Sequence, residues 1–253
     1  MPSKPGFWPL RAAPPAVHPA AVITLHTMPG TDKVESMSPF CMKVEVYLKL
    51  QKVPYQIALG DPRKAPKGKL PLIEAEDGRQ IADSSTILAY LEDRAEKPLD
   101  RALDAAGRAR SHVLKRLFEE SLYFVLVWSR WGDDAGWEEV RPRIAKIVPA
   151  PVRWLVPGII RKKVIASTVA QGVGRHTRDE IYALGKADLE AVAALLGEGP
   201  YLLGAELHTV DVIAYAFLAN ILRWPKPSPL TDAARALPGL EDYVTRIGAR
   251  LAS

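Results

Sequence analysis

Residues 65–92 constrain the fold more than any other part of the chain. An apolar run in this segment is followed by Asp77-Gly78 and then by a second short apolar run. Asp-Gly between two such runs predicts a β-hairpin with a type I′ turn, because both central residues of that turn need positive φ. Asp83 and two serines then open an amphipathic run, which predicts the N-terminus of a helix. The segment is therefore predicted to fold as strand, turn, strand and helix.

The same segment carries groups that suit a peptide-like ligand. Pro71 begins a strand, where it cannot donate to a ladder, and is a candidate for a cis bond. A cis bond would leave the N–H and C=O of Leu70 available to pair with a ligand in β fashion. The predicted helix start at Asp83-Ser84 leaves backbone N–H groups that can hold an anion such as a ligand carboxylate.

The order of these motifs resembles the glutathione-binding part of the thioredoxin-like domain in glutathione transferases. In that family the residue before the cis-proline pairs with the cysteinyl backbone of glutathione, and an acid-Ser pair grips its γ-glutamyl end. The resemblance implies these roles for Leu70, Pro71, Asp83 and Ser84. The alternative is that the motif only folds the domain, since a cis-proline and a helix cap also stabilise members that bind nothing.

The residues before this segment complete a thioredoxin-like order. The β-branched run Val22–Thr27 predicts a first strand, and residues 53–59 predict a second. Ser38-Pro39 is typical of an N-cap followed by proline at N1, so a helix is predicted from there to about Lys52. The result is βαβ followed by ββα, which predicts a mixed four-stranded sheet.

Everything beyond the linker-like residues 96–99 is predicted to be helical. We therefore divide the chain into a flexible Pro-rich segment (1–20), a thioredoxin-like glutathione-binding domain (21–97) and an all-helical domain (98–253). The long helical segment 106–130 offers the core Val113, Leu117, Phe124 and Trp128.

Two further helices have clear signals. Thr177 and Glu180 form a predicted capping box. The apolar residues predicted on one face of that helix are Ile181, Leu184, Val192, Leu195 and Leu196. Residues 210–222 are so apolar that we expect a central buried helix.

The second half resembles the branch of the glutathione transferase superfamily that contains failed axon connections (Fax) and metaxin. The resemblance rests on three motifs in residues 172–180, 202–204 and 209–211, and on Ser-Pro-Phe-Cys at residues 38–41. One departure is visible, because His208 stands where the superfamily usually has Ser or Thr, and we expect a weaker cap there. Asp211 is interpreted as a buried cap acceptor that guides folding.

The composition excludes several classes of protein. The chain has 253 residues, of which 48% are hydrophobic and 25% charged, as in globular proteins with a packed core. The net charge of +5 does not by itself indicate nucleic-acid binding. A single cysteine excludes an internal disulfide and a Cys-x-x-Cys site, and no metal-ligand spacing is present. No run of 18 apolar residues exists, which argues against a membrane span. We expect a cytoplasmic protein without membrane association.

If glutathione lies across Leu70 and Asp83, its sulfur should reach the loop before the first helix. Ser38 is the first candidate for the catalytic residue, because a hydroxyl donor at a helix N-terminus stabilises a thiolate. Capping alone would also account for Ser38. Ser36 and Cys41 stay open as alternatives, although Cys41 lies one turn into the helix, on a face that we expect to enter the core.

The basic and apolar segment 141–163 has two interpretations. It contains seven Lys and Arg residues around the proline-broken run 147–160. The prolines argue against one amphipathic helix and favour a lid or irregular connection over the second-substrate pocket. The alternative is that the run lies on an anionic membrane surface.

The function predicted by the resemblance is that of a glutathione transferase. Glutathione would be the co-substrate, and its thiolate would be conjugated to, or would reduce, a hydrophobic electrophile in an apolar pocket of the helical domain. The resemblance also implies a homodimer. The alternative is a non-enzymatic interaction module of the Fax and metaxin kind.

Overall fold

A computed structural model describes residues 22–252, so the predicted Pro-rich segment 1–20 lies outside the described residues. A four-stranded sheet has the order β2-β1-β3-β4. The strands are β1 (Ile23–Thr27), β2 (Tyr55–Leu59), β3 (Leu72–Glu74) and β4 (Gln80–Ala82). β1 and β2 are parallel, whereas β3 pairs antiparallel with β1 and β4. The predicted mixed thioredoxin-like sheet is confirmed.

Two helices pack with this sheet. Helix α1 (Pro39–Leu50) begins at the predicted N-cap Ser38, with proline at N1. Helix α2 (Ser84–Glu92) begins directly after β4, with Asp83 as its N-cap. Both starts lie where the cap signals in the sequence put them, because these signals depend only on neighbouring residues.

The hairpin between β3 and β4 is present, but the type I′ prediction is wrong. Gly78 has φ of +76°, whereas Asp77 is not in the positive-φ region. The N–H of Gly78 donates to Ala75 O (2.8 Å) and the N–H of Ala75 donates to Arg79 O (2.9 Å). A three-residue loop with glycine in the left-handed region results. The Asp77 carboxylate accepts the N–H of Arg79 at 3.0 Å, which stabilises this longer turn.

The rest of the described chain is helical. The long predicted segment runs as α3 (Ala105–Arg116), a π-helical turn (Leu117–Leu122) and α4 (Tyr123–Trp131). The remaining helices are α5 (Asp134–Ile147), α6 (Val156–Gln171), α7 (Arg178–Leu196), α8 (Thr209–Leu222), α9 (Pro229–Ala236) and α10 (Leu240–Leu251).

The predicted apolar faces need three corrections. Val113, Leu184 and Leu195 are exposed. In α3 the buried side chain is Leu114, one position later. In α7 the buried stripe runs through Gly185, where a Cβ would lie only 2.7 Å from side chains of Val125 and Leu230. A pattern of apolar side chains does not count a glycine, which explains the misplaced stripe.

Helix α8 is the centre of the core, as predicted. Every residue from Val210 to Leu222 is buried. At its start the buried Asp211 accepts the N–H groups of His208 and Leu202, both at 2.9 Å, and the hydroxyl of Tyr243 at 2.7 Å. The role of Asp211 as a buried acceptor is confirmed.

The departure at His208 is compensated from elsewhere in the chain. Asp100, in the connection between α2 and α3, accepts the N–H of Thr209 at 2.9 Å. The ring Nδ1 of His208 lies 2.8 Å from Leu99 O. The helix start is therefore capped by a distant acid in place of the usual Ser or Thr.

We predict that Asp211→Ala lowers the free energy of unfolding by at least about 2 kcal/mol, because each buried donor left without an acceptor costs about 1 to 3 kcal/mol. Thermal or denaturant unfolding measures the loss. The exposed carboxylate Asp179 in the first turn of α7 provides the control Asp179→Ala, for which a much smaller change is expected. A loss of turnover in Asp211→Ala at unchanged stability would contradict the structural role.

Candidate active site

The register of the sheet brings the separate candidate segments to one edge. His26 of β1 pairs with Leu72 of β3, and Leu72 pairs with Ala82 of β4. One residue further toward this edge are Thr27 at the end of β1, Pro71 directly before β3 and Asp83 directly after β4. The loop that follows β1 leads to Ser38 at the start of α1. Both predicted glutathione-binding segments therefore border the loop that carries the candidate sulfur partner.

Ser38 is the accessible member of the three candidates in this loop. Its side chain is half-buried, and its Oγ accepts the N–H of Cys41 at 3.4 Å as the helix cap. Because that contact uses Oγ as an acceptor, the hydroxyl hydrogen can be donated, either to the sulfur of Cys41 or to a ligand. The start of α1 adds the partial positive charge of the helix dipole.

The two alternatives to Ser38 lie inside the protein. Ser36 is fully buried, and its hydroxyl donates to Met28 O at 2.9 Å while it accepts the N–H of Ser38 at 3.3 Å. Cys41 is also fully buried, as expected, and burial raises the pKa of its thiol against the opposing hydrogen bonds from Met28 and from the hydroxyls of the loop. Both side chains are therefore enclosed by the protein, and Ser36 supports the loop through its hydrogen bonds.

The Leu70–Pro71 peptide bond is cis. Neither the N–H nor the C=O of Leu70 makes a hydrogen bond to another residue in the range 22–252. The Leu70 side chain packs on Gly60, where a Cβ would lie 2.6 Å from its methyl groups. Leu70 therefore holds a fixed position and presents an unpaired peptide group.

The start of α2 offers both an acceptor and donors. Asp83 has φ of +86°, and its Oδ1 accepts the N–H groups of Ser85 and Thr86 at 3.0 and 3.2 Å. Burial opposes ionisation, but these donors together with Lys67 and Lys43 keep the pKa of Asp83 below its usual value. Ser84 is buried, and its hydroxyl makes no hydrogen bond within the described chain. The second oxygen of Asp83 and the hydroxyl of Ser84 remain for a ligand.

A buried ion pair behind this helix start was not anticipated from the sequence. Lys43 of α1 is fully buried, and its Nζ contacts Glu119 in the π-helical turn. The other oxygen of Glu119 lies 3.5 Å from the hydroxyl of Ser85. Burial lowers the pKa of Lys43 against the opposing effect of Glu119. The pair connects the helical domain to both helices of the candidate site. Its only local signal is the π-helical turn that contains Glu119.

A second unanticipated group holds the Ser38 loop from the helical side. Arg130 of α4 donates to Met37 O at 2.8 Å and to Asn220 O at 2.7 Å. The amide of Asn220 donates to Ser36 O at 3.2 Å. Two consecutive carbonyls before Ser38 are thus fixed by buried side chains of α4 and α8.

The guanidinium of Arg130 is buried without a carboxylate partner among the described residues. It stacks on Trp224 at 3.7 Å, and burial lowers the pKa of Arg130 to about 9. Its Nε makes no hydrogen bond in the described chain. The positive charge of Arg130, which no carboxylate within residues 22–252 neutralises, therefore contacts Met37, the residue before Ser38.

An apolar cluster adjoins the same loop. Met37 packs against a group of side chains from α5, α6 and the segment after α8. The buried members are Val140, Ile144 and Trp224, and the half-buried members include Trp131, Trp137, Val148 and Ile160. A packed apolar cluster therefore begins at Met37, one residue before Ser38.

Two family models match the chain. The model of the glutathione S-transferase N-terminal domain matches residues 39–136, and the model of the C-terminal domain matches residues 185–247. The first match leaves out β1 and extends through α3 and α4 into the start of α5. Residues 137–184 lie in neither match.

The similar proteins include one that is named as an enzyme and others whose names state no enzymatic activity. An isoprene-epoxide glutathione S-transferase from Rhodococcus is 31% identical over 85% of this chain and 92% of its own length. Failed axon connections from Drosophila melanogaster is 30% identical over 89% of this chain, which spans 57% of that protein. Mouse metaxin-1 is 26% identical over 90% of this chain and 74% of its own length.

Solved structures show the same fold at low sequence identity. A glutathione transferase from Phanerochaete chrysosporium superposes with a TM-score of 0.62 at 16% identity, covering 90% of this chain and 97% of that one. The glutaredoxin 2 of Salmonella typhimurium, in complex with glutathione, has a TM-score of 0.54 at 16% identity, with 91% and 95% coverage. The fold is that of a thioredoxin-like domain followed by a helical domain. The chain belongs to the glutathione transferase superfamily, in the branch with failed axon connections and metaxin-1.

We predict that Lys43→Met alone lowers the free energy of unfolding by about 3 to 5 kcal/mol, because it leaves Glu119 buried and unpaired. The double variant Lys43→Met/Glu119→Leu should recover most of that loss. Urea unfolding of the single and double variants measures both values.

The exposed pair Lys186 and Glu190, 3.7 Å apart in α7, provides the matched control. Lys186→Met should cost less than about 1 kcal/mol. Equal losses in Lys43→Met and in the double variant would contradict the assignment of Lys43 and Glu119 as a coupled pair.

Proposed function

We propose that the protein is a glutathione transferase that conjugates the thiolate of glutathione to a hydrophobic electrophile, or uses it to reduce one. The observation that supports this proposal is the sheet register: the strand ends next to Leu70 and Asp83 share one edge with the end of β1, from which the Ser38 loop starts. Homology to the Rhodococcus enzyme at 31% identity supports it.

Glutathione would bind through the groups that the protein leaves unpaired. Its cysteinyl backbone would pair with the N–H and C=O of Leu70, held by the cis bond to Pro71. Its γ-glutamyl carboxylate would accept from the hydroxyl and the backbone N–H of Ser84, the first residue of α2. Its ammonium group would donate to the second oxygen of Asp83.

The sulfur would then lie at Ser38, where the protein can favour the thiolate. The Ser38 hydroxyl would donate to the sulfur, and the dipole of α1 and the charge of Arg130 would both stabilise a negative charge there. The thiolate is the nucleophile, so a lower thiol pKa raises the reactive fraction at neutral pH. Binding both reactants in attack geometry contributes further to the rate.

The electrophile would bind on the apolar cluster around Met37 and Trp224. Pockets of this kind select by shape and apolar area and have few polar requirements. The name of the Rhodococcus relative makes a small alkene epoxide the first compound to test. A homodimer, a cytoplasmic location and the absence of nucleic-acid binding stay predictions.

A second candidate function is that of a non-enzymatic interaction module. Similarity to failed axon connections and metaxin-1 favours it. Retention on immobilised glutathione, with elution by free glutathione, distinguishes the two. Passage of the folded protein through the column would contradict the transferase proposal.

We predict that Asp83→Asn weakens glutathione binding by about 1.5 to 3 kcal/mol, the usual value of a hydrogen bond to a charged group. Asparagine caps a helix as well as aspartate does, so this variant removes the charge and keeps the cap. Calorimetric titration measures the affinity. The control is Asp77→Asn in the nearby hairpin, whose carboxylate likewise accepts a backbone N–H. Equal affinities of wild type and Asp83→Asn would remove Asp83 from the site.

We predict that Ser38→Ala lowers turnover by about 10- to 1000-fold, the usual loss for one donor to a developing anion. Cys41→Ala should retain activity, because the buried thiol does not face the ligand. Disulfide reductase activity should be weak or absent, since Ser38 cannot form a mixed disulfide.

Turnover of each variant is measured per amount of folded protein. The pKa of bound glutathione, followed by thiolate absorbance, should rise in Ser38→Ala and stay unchanged in Cys41→Ala. An inactive Cys41→Ala beside an unaffected Ser38→Ala would contradict this mechanism and leave the fold assignment intact.

A further inference from the structure

The helical hairpin formed by α5 and α6 ends in an exposed apolar surface. We call residues 147–159 the hairpin tip; it comprises the end of α5, a short 3₁₀ turn and the start of α6. The prolines interrupt the helix here, as predicted. Five large apolar side chains of the tip are exposed, with these exposed fractions: Trp154 79%, Ile147 62%, Ile159 54%, Leu155 46% and Val152 40%.

These side chains are not used to pack the hairpin on the protein. The base of the hairpin does that through Val140, Ile144 and Ile160, which join the apolar cluster around Met37. Trp154 makes its hydrogen bond within the tip, to Pro151 O at 3.2 Å. The five exposed side chains therefore do not pack on the Ser38 loop.

The tip lies in the most basic part of the chain. Residues 140–178 contain nine of the 34 Lys and Arg residues and none of the 29 Asp and Glu residues, so the rest of the chain is net negative. Three of the nine are paired with acids outside this range: Arg143 with Glu139, Arg161 with Asp134 and Arg178 with Asp133. Five others are exposed and form no ion pair with a described residue: Arg141, Lys146, Arg153, Lys162 and Lys163.

The combination of groups identifies one kind of partner. An exposed tryptophan with aliphatic neighbours and a surrounding set of unpaired cations suits the interface of an anionic bilayer, where apolar side chains enter the head-group region and cations bind the lipid phosphates. A second copy of the tip would bring like charges together. A nucleic acid would use the cations but not the four exposed aliphatic side chains.

We propose that the hairpin tip binds the surface of an anionic lipid bilayer, with Trp154 and Leu155 inserted among the head groups and Arg153, Lys162 and Lys163 in contact with lipid phosphates. This reverses the expectation from the sequence that membranes are not a partner. No helix among residues 22–252 is long and apolar enough to cross a membrane, so the proposal concerns binding at the surface. The tip lies in residues 137–184, outside both family-model matches, and the proposal does not depend on glutathione binding.

The test is cosedimentation of the full chain with two kinds of vesicle. One contains phosphatidylcholine alone, and the other contains about 30% phosphatidylserine as the anionic lipid. The full chain should partition at least about tenfold more strongly to the anionic vesicles, and raising the salt from about 0.1 M to about 0.5 M should weaken that binding.

Two pairs of variants separate the apolar and the charged contributions. Trp154→Ser/Leu155→Ser should lose at least about tenfold in partitioning, whereas Leu195→Ser, at an equally exposed leucine of α7, should match the wild type. Lys162→Glu/Lys163→Glu should lose binding to anionic vesicles, whereas Arg101→Glu/Arg110→Glu, at exposed sites near the start of α3, should retain most of it. Circular dichroism checks that every variant is folded.

Three results would overturn the proposal. The first is an absence of sedimentation with either vesicle, and the second is equal binding to both. The third is unchanged partitioning of Trp154→Ser/Leu155→Ser. A change of oligomeric state in that variant, or binding of single-stranded RNA without binding of vesicles, would assign the tip to a different partner and likewise overturn it.

Discussion

Helix α8 is the constraint on which the rest of the structure depends. All residues from Val210 to Leu222 are buried, so the sheet domain and the other helices must together enclose the helix on every side. Its strongly polar buried side chains, Asp211 and Asn220, must find partners inside the protein. Asp211 holds the segment before the helix start and Tyr243 of α10, and Asn220 holds the Ser38 loop and Arg130. The helix that forms the core therefore also positions the candidate site.

The parts of the fold that the sequence predicts are those determined over a few residues. Ser38-Pro39, the box at Thr177 and Glu180, and Asp83 before a run of apolar residues each begin a helix where expected. A cap or a turn glycine acts on the neighbouring peptide groups, so its effect survives in almost any surroundings. The hairpin shows the limit of such local signals. Gly78 marks the turn correctly, but the loop length also depends on how Asp77 uses its carboxylate.

The missed parts of the candidate site are contacts between residues far apart in the chain. Lys43 and Glu119 are separated by 76 residues, Arg130 and Met37 by 93, and Thr209 and Asp100 by 109. A lysine or arginine in a helix is usually solvated, and the residues next to it in the sequence do not indicate that it is buried. The unpaired peptide group of Leu70 could be anticipated, because it follows from a local motif. The cation beside Ser38 could not, because it comes from a helix of the other domain.

The α5–α6 hairpin connects the two proposals through its two ends. The base packs with Met37, one residue from Ser38, while the tip exposes Trp154 and unpaired cations. Apolar compounds concentrate in bilayers because burial of their surface from water is favourable. A protein that is held at a membrane by the tip would meet hydrophobic electrophiles at a higher local concentration than in water. Under both proposals, the apolar cluster at the base would receive them next to the bound thiolate, and the hairpin would serve both as an anchor and as a wall of the proposed electrophile pocket.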